Sequence, residues 1–476
     1  MQRRAFLKSV AAGTPALLPA RAAKRLVRRP NFLFLIADDL TYRGIHALGN
    51  EEIHTPNLDR LVKRGCSFTR CFHQGSWSGA VCVPSRTMLN TGLTSFHAQR
   101  RAEETPLWGE TLGRAGYDTS IIGKWHLSDT ILRRSFKEIG PVSGGMFESG
   151  PAAYHRPSPG NTWTPWDQSL KGQWLHTAQW QKAPKDEIKH SAQVWAEGAA
   201  DYLLKRSGDT APFFLYVGFN SPHDPRQAPK QFVDLYPRER IRVPPNYLPE
   251  HPFDQGDRDV RDEILAPFPR TREAVQLHRS EYYAHTTYMD AQIGRILDAL
   301  EKSGQAGNTY VIFAADHGLA VGQHGLMGKQ NLYDHSIRMP LVISGPEVPR
   351  GRRVDHMVYQ HSLFATTCQL ARVEVPRSVE FPSLVDLLGS AGGPKHDAVF
   401  CYYRHFQRAV RTTDHKLIVY PQAGVTQLFD LKQDPWETNN LSARKEYAPL
   451  KRDLLERLRR FQKELDDDLS PVTATG

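Results

Sequence analysis

Four short apolar segments constrain the fold of this chain more than any other feature, because each one ends in polar residues that can carry chemistry. They are 31–37, followed by Asp38 and Asp39; 119–123, by Lys124 and His126; 213–219, by Ser221 and His223; and 310–315, by Asp316 and His317. Short apolar runs are typical of buried strands in a parallel sheet. Patterns with helical spacing lie between them, as at 55–65 and 280–303. The alternation predicts an α/β main domain.

Three of these polar residues are carboxylates, and they predict a metal site. In open α/β sheets, sites form where the carboxyl ends of the strands meet. Asp38, Asp39 and Asp316 would repel one another there unless a cation lay between them. Oxygen ligands favour Ca²⁺ or Mg²⁺, and His317 is a candidate to complete the shell. A single aspartate at a strand end more often caps a helix or turn, but two such strand ends favour the metal site.

A candidate nucleophile, Cys82, opens a predicted helix that ends by Gly92. A residue at a helix N-terminus faces unpaired N–H groups and the positive end of the helix dipole, which favours an anionic ester nearby. Arg86 lies one turn further on and can reach the same point. This pattern predicts an anion-binding site around Cys82.

Residues 82–92, CVPSRTMLNTG, resemble the signature of the sulfatases, in which cysteine, proline and arginine direct oxidation of the cysteine to formylglycine. Other segments match this family in the same order, and the resemblance covers about residues 30–445. These segments are NFLFLIADD at 31–39, TPNLDRL at 55–61, GKWH at 123–126, SPH at 221–223, ADHG at 315–318, GK at 328–329, LFD at 428–430 and DPWE at 434–437.

The resemblance implies an alkaline-phosphatase-like fold. We expect a mixed, mostly parallel sheet flanked by helices, with a smaller C-terminal α+β domain that contains an antiparallel sheet. The composition changes after about residue 375, where short strand patterns precede an amphipathic helix at 447–466. We therefore place the catalytic domain at 30–375 and the C-terminal domain at 376–476.

The resemblance also implies the site and its chemistry. Asp38, Asp39, Asp316 and His317, together with the modified Cys82, would bind one calcium ion, and Arg86, Lys124, His126, His223 and Lys329 would surround the sulfate. Formylglycine hydrates to a geminal diol, one hydroxyl of which would attack sulfur. Lys124, Lys329 and the cation would stabilise the sulfuryl group. His223 would protonate the leaving oxygen, and His126 would act as base for the second hydroxyl.

One segment departs from the family pattern. Ser362 stands where many members carry aspartate, and the neighbouring Gln360 and His361 are also unusual there. We expect this segment to face the substrate and to bear on specificity. The signature helix is usually followed by Gly-Arg in the family, whereas Gly92-Leu93-Thr94 follows here; this position is peripheral and affects the prediction little.

Two long insertions, 141–182 and 222–272, are rich in aromatic, proline or charged residues and are expected to cover the sheet edge. Trp163 in the first is predicted to stack on a sugar, and Tyr402, Arg404 and His405 to close the pocket from the C-terminal domain. We expect an exo-acting enzyme for a sulfated polysaccharide or its oligosaccharides. Aryl sulfates and choline sulfate stay open as substrates.

Residues 1–29 are predicted to form an export leader. Arg3 and Arg4 begin a twin-arginine pattern, and a weakly apolar stretch, too short to span a membrane, leads to a small-residue cleavage site at 20–22. We therefore expect the twin-arginine machinery and a formylglycine-generating enzyme as partners, and a periplasmic or secreted product. The net charge of +10 suits an anionic substrate, and no nucleic-acid-binding motif is present. Five cysteines do not form a disulfide framework, and we interpret Cys66 and Cys71 as small, half-buried residues.

Two alternatives stay open. A phosphonate or phosphodiester hydrolase of the same superfamily would share the fold and the metal. An inactive relative that binds sulfated glycans would lack the modified cysteine.

Overall fold

The computed structural model describes residues 28–180, 185–389, 392 and 396–469, so the predicted leader lies almost wholly outside the described residues. The strands within these ranges are β1 Asn31–Ala37, β2 Cys66–Phe72, β3 Gly75–Ser76, β4 Asp118–Lys124, β5 Glu138–Ser143, β6 Trp174–His176, β7 Ile188–His190, β8 Phe213–Gly218, β9 Thr309–Ala315, β10 Arg338–Ser344, β11 Arg352–Tyr359, β12 Ala398–Tyr403, β13 Gln407–Thr412, β14 His415–Tyr420 and β15 Val425–Asp430.

The helices within the same ranges are α1 Pro56–Arg64, α2 Cys82–Thr91, α3 Ser95–Arg101, α4 Trp108–Arg114, α5 Asp129–Ser135, α6 Thr177–Trp180, α7 Ser191–Lys205, α8 Lys230–Val233, α9 Arg272–Lys302, α10 Asp334–Ile337, α11 Leu363–Ala371, α12 Val385–Leu388 and α13 Ala448–Glu464. The helix predicted at 280–303 begins eight residues earlier, at Arg272, where the Thr271 side chain caps it by accepting from Ala274 N. Among the described residues, no helix has the length and apolar character needed to cross a membrane.

The main sheet has eight strands in the order β11-β2-β10-β9-β1-β8-β4-β5, and β10 alone runs against the other seven. The four apolar segments of the sequence form β1, β4, β8 and β9, which lie side by side. Every residue of β1, β8 and β9 is buried, as expected for parallel strands covered on both faces. Their carboxyl ends therefore meet at one edge.

Helices flank this sheet and bury its faces. The long helix α9 packs against α1 and α7, and α7 also contacts β4 and β8. The Trp108 ring, from α4, lies 5.0 Å from the Phe34 ring and 4.9 Å from the Phe214 ring, which joins β1 and β8 in one aromatic core. This packing holds the strand ends in fixed positions.

A second sheet, in the order β15-β14-β13-β12-β3, is covered by α13 through Leu454, Leu455 and Leu458. Its edge strand β3 comes from far earlier in the chain and pairs in parallel with β12. Gly75 in β3 has a φ of 112°, and a Cβ there would collide with the Tyr402 carbonyl oxygen, so this close approach requires glycine. The segment that leads to Cys82 is thereby fixed to the second sheet.

The predicted fold class is confirmed: the chain combines a mostly parallel, helix-flanked sheet with a smaller C-terminal antiparallel sheet. Cys66 and Cys71 are buried free thiols in β2.

Candidate active site

The residues predicted for the site meet at the carboxyl edge of the main sheet. They lie just beyond β1 (Asp38 and Asp39), beyond β9 (Asp316 and His317), at the end of β4 (Lys124 and His126), beyond β8 (His223), on α2 (Cys82 and Arg86) and on the loop between β9 and β10 (Lys329). All of these side chains are buried except that of His126, which is half-buried.

The acidic side of the site is formed by three buried carboxylates around His317. His317 Nδ1 lies 3.3 Å from Asp39 Oδ1, and its Nε2 lies 3.9 Å from Asp38 Oδ1 and 3.6 Å from Asp316 Oδ1. Ligand atoms of Asp38, Cys82 and His317 all lie within 4.8 Å of one another. Three chain segments distant in sequence therefore present their polar atoms to one small volume.

Each of these carboxylates has one cationic partner. Lys124 Nζ is paired with Asp38 Oδ2, and Lys329 Nζ lies 2.9 Å from Asp39 Oδ1. Burial acts to raise the pKa of Asp38, but the electrostatic effects of Lys124, His223 and Arg86 together outweigh it and hold that pKa well below its usual value. For Asp39, burial raises the pKa to about 7, although Lys329 opposes the shift. The two adjacent carboxylates thus differ in their electrostatic surroundings.

The residues present fit a divalent cation. Asp38 Oδ1, Asp39 Oδ2 and His317 Nε2 are buried without a hydrogen-bond partner among the described residues. Unpaired buried carboxylate oxygens are costly, and a hard cation would satisfy them. Burial lowers the pKa of His317, but Asp316 and its neighbours raise it to about 9, so the carboxylates attract positive charge at this point. A bound cation would take the place of that proton.

Cys82 is the first residue of α2, and its thiol is buried beside this cluster. The Sγ atom lies 3.0 Å from His126 Nδ1. Burial acts to raise the pKa of the Cys82 thiol, but the charge of Lys124 and the contacts with His126 and His317 together hold it well below its usual value. The position therefore favours a negatively charged atom, in accord with the positive end of the helix.

Arg86 lies one turn along α2 and joins three of the segments. Its Nε donates to Asp316 Oδ2 at 2.9 Å, and its Nη1 donates to the Lys124 carbonyl at 3.0 Å. Its Nη2 is buried and has no partner among the described residues. Arg86 is thus held rigidly with one nitrogen left to bind an anion.

His223 is held in one orientation by its own loop. Its Nδ1 lies 2.6 Å from the Asp224 carbonyl oxygen, so Nδ1 carries the proton and Nε2 is left free, 3.9 Å from Asp39 Oδ2. Burial, and then the nearby charge of Lys329, hold the pKa of His223 well below its usual value. The imidazole is therefore neutral and presents Nε2 to the site.

Sequence reasoning missed a buried polar network next to His223 and Lys329. Arg261 pairs with both Asp224 and Asp262, and Asp262 accepts a hydrogen bond from Gln330. These residues belong to the 222–272 insertion and to the loop of Lys329, and no motif marks them. The only signal was the high charge of the insertion, which does not show which charges are buried.

The prediction for the segment 360–362 is wrong. Gln360, His361 and Ser362 are all fully buried, and the His361 ring packs against those of Tyr359 and Phe381, so the segment is packed into the core and does not face the substrate. Gln360 Nε2 instead donates to Ser85 Oγ at 2.6 Å and to the Asp316 carbonyl at 2.8 Å. The segment lies behind α2, where it ties that helix to the loop of Asp316.

The four predicted substrate contacts lie in different surroundings. Tyr402 does not fit the prediction, because it is buried and its hydroxyl lies 2.7 Å from Ser95 Oγ in the core beneath β12. Arg404 and His405 lie on the turn between β12 and β13, where Arg404 N donates to the Ser76 carbonyl at 2.7 Å, close to the segment that leads to Cys82. Trp163 lines a separate groove in the first insertion.

Two protein families match the chain. The sulfatase family model matches residues 30–373, and the model of the N-sulphoglucosamine sulphohydrolase C-terminal region matches residues 322–464. A sulfatase of Formosa agariphila is 28% identical over 466 residues, covering 90% of this chain and 87% of the relative. An N-acetylglucosamine-6-O-sulfatase of Bacteroides thetaiotaomicron is 26% identical over 516 residues, covering 94% and 89%.

Solved structures share the fold. A protein in complex with its substrate D-glucosamine-2-N,6-O-disulfate superimposes with a TM-score of 0.71 at 21% identity, covering 93% of this chain and 99% of the other. A phosphonate monoester hydrolase from Silicibacter pomeroyi superimposes with a TM-score of 0.73 at 20% identity, covering 92% and 96%. At these identities the superpositions show the fold alone. The family model, in contrast, spans most of the chain and confirms the resemblance of its motifs: the chain belongs to the sulfatase family and is an enzyme that hydrolyses sulfate esters.

Proposed function

We propose that this sulfatase removes sulfate from a sulfated carbohydrate by means of formylglycine formed from Cys82 and a calcium ion. The observation that carries the proposal is the buried cluster at the sheet edge. There the Cys82 side chain lies among three carboxylates, two lysines and Arg86, and several of their polar atoms have no partner among the described residues. Such a cluster is complete only with a cation and an anion in it.

The cation would be held by Asp38, Asp39, Asp316 and His317, with the modified Cys82 side chain beside them. When bound, it supplies positive charge that acidifies a neighbouring hydroxyl and stabilises anionic oxygens. The protein atoms that support this role are Asp38 Oδ1, Asp39 Oδ2 and His317 Nε2, because each of them is buried and unpaired. Calcium accepts such carboxylate-rich sets readily.

Formylglycine, when present and hydrated, supplies a hydroxyl that attacks sulfur. The chain positions the sulfate for this attack. Arg86 Nη2 is free to donate to a sulfate oxygen, and Lys124 and Lys329 lie on either side of the acidic group. Because these cations are already fixed by carboxylates, they need no reorganisation as charge develops on the sulfuryl oxygens.

Two histidines would move the protons. His223 is held by its bond to Asp224 with an unprotonated Nε2 facing the site; the negative charge of a bound sulfate ester would favour uptake of a proton at Nε2, and His223 would then pass that proton to the leaving alcohol oxygen. His126 lies 3.0 Å from Cys82 Sγ and would accept a proton from the modified side chain when sulfate is released. The aldehyde is then restored, and the net reaction consumes one water.

Two observations support a carbohydrate substrate and exo action: the substrates named for related proteins, and the burial of Cys82. The relative from Bacteroides thetaiotaomicron acts on N-acetylglucosamine 6-O-sulfate by its name, and one structural neighbour was solved with a disulfated glucosamine. Cys82 is only 1% exposed, so an ester must enter a narrow pocket to reach it. A terminal sugar enters such a pocket more easily than the middle of a chain, which supports exo action.

Two measurements test this proposal. The mass of the peptide that carries Cys82 should match formylglycine or its hydrate, after co-expression with a formylglycine-generating enzyme. Sulfate release should then be measured on sulfated saccharides, choline sulfate and an aryl sulfate, and release of the alcohol on a phosphonate monoester. Fastest hydrolysis of a sulfated saccharide supports the proposal; fastest hydrolysis of the phosphonate favours the other superfamily activity. An unmodified, inactive protein that still binds the saccharides favours a binding role.

We also propose export through the twin-arginine machinery to the periplasm or beyond, on the pattern at Arg3 and Arg4. Replacing both arginines with lysine should retain the protein in the cytoplasm. Unchanged export of that variant would contradict the proposal.

A further inference from the structure

A groove in the first insertion is lined by aromatic side chains that the reaction does not use. Residues 156–166, 233–238 and 277–281 enclose about 520 Å³ there. Trp166 in this groove is 37% exposed, and Trp163 and Tyr236 form a buried part of its lining. A large aromatic face left in solvent beside two others indicates a binding surface.

The lining also contains an unsatisfied polar group. Trp163 is nine-tenths buried, and its Nε1 has no hydrogen-bond partner among the described residues. The Arg156 guanidinium lies 5.1 Å from the centre of the Trp163 ring and is fixed by a buried pair with Glu281, at 2.7 Å. A buried indole N–H normally donates to an acceptor, so the unpaired Nε1 of Trp163 indicates a ligand that offers an acceptor atom.

The exposed rim of the groove carries two cations that each have a carboxylate partner, since Lys230 pairs with Asp234 and Arg238 lies 3.5 Å from Glu273. Lys230 Nζ lies 5.3 Å from the centre of the Trp166 ring, and the exposed Arg238 lines the same side. Asp234 lies among them and pairs with Lys230 at 2.6 Å. The combination of aromatic faces, hydrogen-bonding groups and two cations suits a sugar that carries sulfate, since its C–H faces stack on indole and its sulfates pair with Lys and Arg.

The groove is joined to the catalytic pocket by short stretches of chain. The backbone N–H groups of His155 and Arg156 donate to the carbonyls of Ile264 and Leu265, both at 2.9 Å. That segment begins at Arg261, which contacts Asp224 beside His223. The same few residues therefore connect the lining of the groove to the residues beside His223.

We propose that this groove binds the sugar chain of the sulfated substrate at units beyond the one that loses its sulfate. The inference rests on the proposed carbohydrate activity. Because the additional units would bind outside the catalytic pocket, kcat/KM should be higher for sulfated oligosaccharides than for the matching monosaccharides.

The test compares Trp166→Ala with Leu204→Ala, a control at a similarly exposed apolar residue on α7, outside the groove. Substrates are sulfated oligosaccharides, the matching sulfated monosaccharide and para-nitrophenyl sulfate. For Trp166→Ala, kcat/KM on the oligosaccharides should fall about fivefold, the loss expected for one stacking contact, while the rates on both small substrates stay unchanged. An equal change on all substrates, or the same change in Leu204→Ala, would overturn the inference.

Binding separates this inference from the proposed function. In a Cys82→Ala background, calorimetric titration with the same oligosaccharides should show that Trp166→Ala weakens their affinity about fivefold. If the wild type hydrolyses only the aryl sulfate, the carbohydrate function fails whatever the groove does. If it hydrolyses the oligosaccharides but Trp166→Ala binds them with unchanged affinity, the groove inference fails alone.

Discussion

The protein buries two clusters of charged side chains, and they differ in how completely their atoms are paired. The catalytic cluster at the carboxyl edge of the main sheet contains the unpaired atoms Asp38 Oδ1, Asp39 Oδ2 and Arg86 Nη2. The second cluster lies where α10 meets β13, β14 and the turn at 434–437. Its pairs are Arg411 with Asp334 at 3.2 Å, Lys416 with Asp334 at 2.6 Å and Lys416 with Glu437 at 2.6 Å.

This difference distinguishes a ligand-binding site from a charged cluster that only stabilises the fold. In the second cluster, Lys416 lies between two carboxylates and also donates to the Leu332 carbonyl at 3.2 Å, so protein groups satisfy its charge. It ties the loop region after β9 to the second sheet. The catalytic cluster has the same kinds of charged groups, but several of its oxygen and nitrogen atoms have no hydrogen-bond partner among the described residues. In the second cluster even Glu437 Oε1, which has no hydrogen bond by geometry, is ion-paired with Lys416 at 2.6 Å, so buried charge there is neutralised by protein groups and holds the chain together. Buried charge whose atoms lack such partners indicates a ligand site.

The largest effect should come from Cys82→Ala, which removes the reacting group from the catalytic cluster. We expect activity on any sulfate ester to fall by about 10⁴-fold or more, because the remaining groups only bind and polarise the ester. The melting temperature should change little, since the hydrogen bond of this side chain goes to the half-buried His126 and not to a group that holds the fold together. Initial rates and thermal denaturation of the same preparation check both parts. Residual activity within tenfold of wild type would show that another group is the nucleophile.

The reverse outcome is expected for Lys416→Met in the second cluster. This change leaves Asp334 and Glu437 buried without their shared cation and should cost about 3–5 kcal/mol of unfolding free energy. Activity per folded molecule should stay close to that of wild type. Denaturant titration gives the stability, with Arg457→Ala as a control, because Arg457 and Asp453 form an exposed pair on α13 whose loss should cost under about 1 kcal/mol. A similar cost for both variants would remove the distinction between the clusters.

Removal of divalent cations should lower the stability of the protein, because the catalytic cluster would lose its bound cation while the second cluster would be unaffected. A ligand present at about one hundred times its Kd stabilises the folded state by about 2.7 kcal/mol. A chelator should therefore lower the melting temperature and abolish activity, and calcium should restore both. In Asp316→Asn, the calcium-dependent part of the stability should be lost or much reduced, while Lys416→Met should keep it. A melting temperature that does not respond to calcium would contradict the assignment of these ligands.

Several features of the catalytic cluster depend on local sequence patterns and could be predicted from them. The strand at 31–37 was predicted with its observed ends, because a continuous apolar run bounded by Pro30 and Asp38 leaves little freedom. The aspartates were grouped correctly, since parallel strands place their carboxyl ends together. The helix start at Cys82 was also predicted from its pattern.

Features that depend on contacts between distant segments could not be predicted in this way. Tyr402 looked available to a sugar, but β3 pairs with β12 and turns its side chain into the core. Arg261 and Asp262 looked like solvated charges of an insertion, yet they are packed beside Asp224. No local pattern records such pairings, because they are set by which loops fold over the sheet edge.

The smallest effect we predict concerns Gln360, which supports the catalytic cluster from behind. Its Nε2 donates to Ser85 Oγ and to the Asp316 carbonyl, so it fixes the distance between the helix of Cys82 and a metal-binding loop. Gln360→Ala should cost about 1–2 kcal/mol of stability and lower kcat about tenfold, with little change in KM, because the reacting groups shift relative to one another.

A matched control lies at the other end of β9, the strand that leads to Asp316. Gln305, just before β9, is also a buried glutamine whose Nε2 donates to two carbonyls, those of Arg206 at 3.0 Å and Asp209 at 3.1 Å. Gln305→Ala should therefore cost a similar amount of stability but leave kcat unchanged, since no catalytic group lies at the amino edge of the sheet. If both variants lose kcat equally, Gln360 acts only through stability. If Gln360→Ala alone loses it, the alignment of α2 with the Asp316 loop is part of what makes the carboxyl edge catalytic.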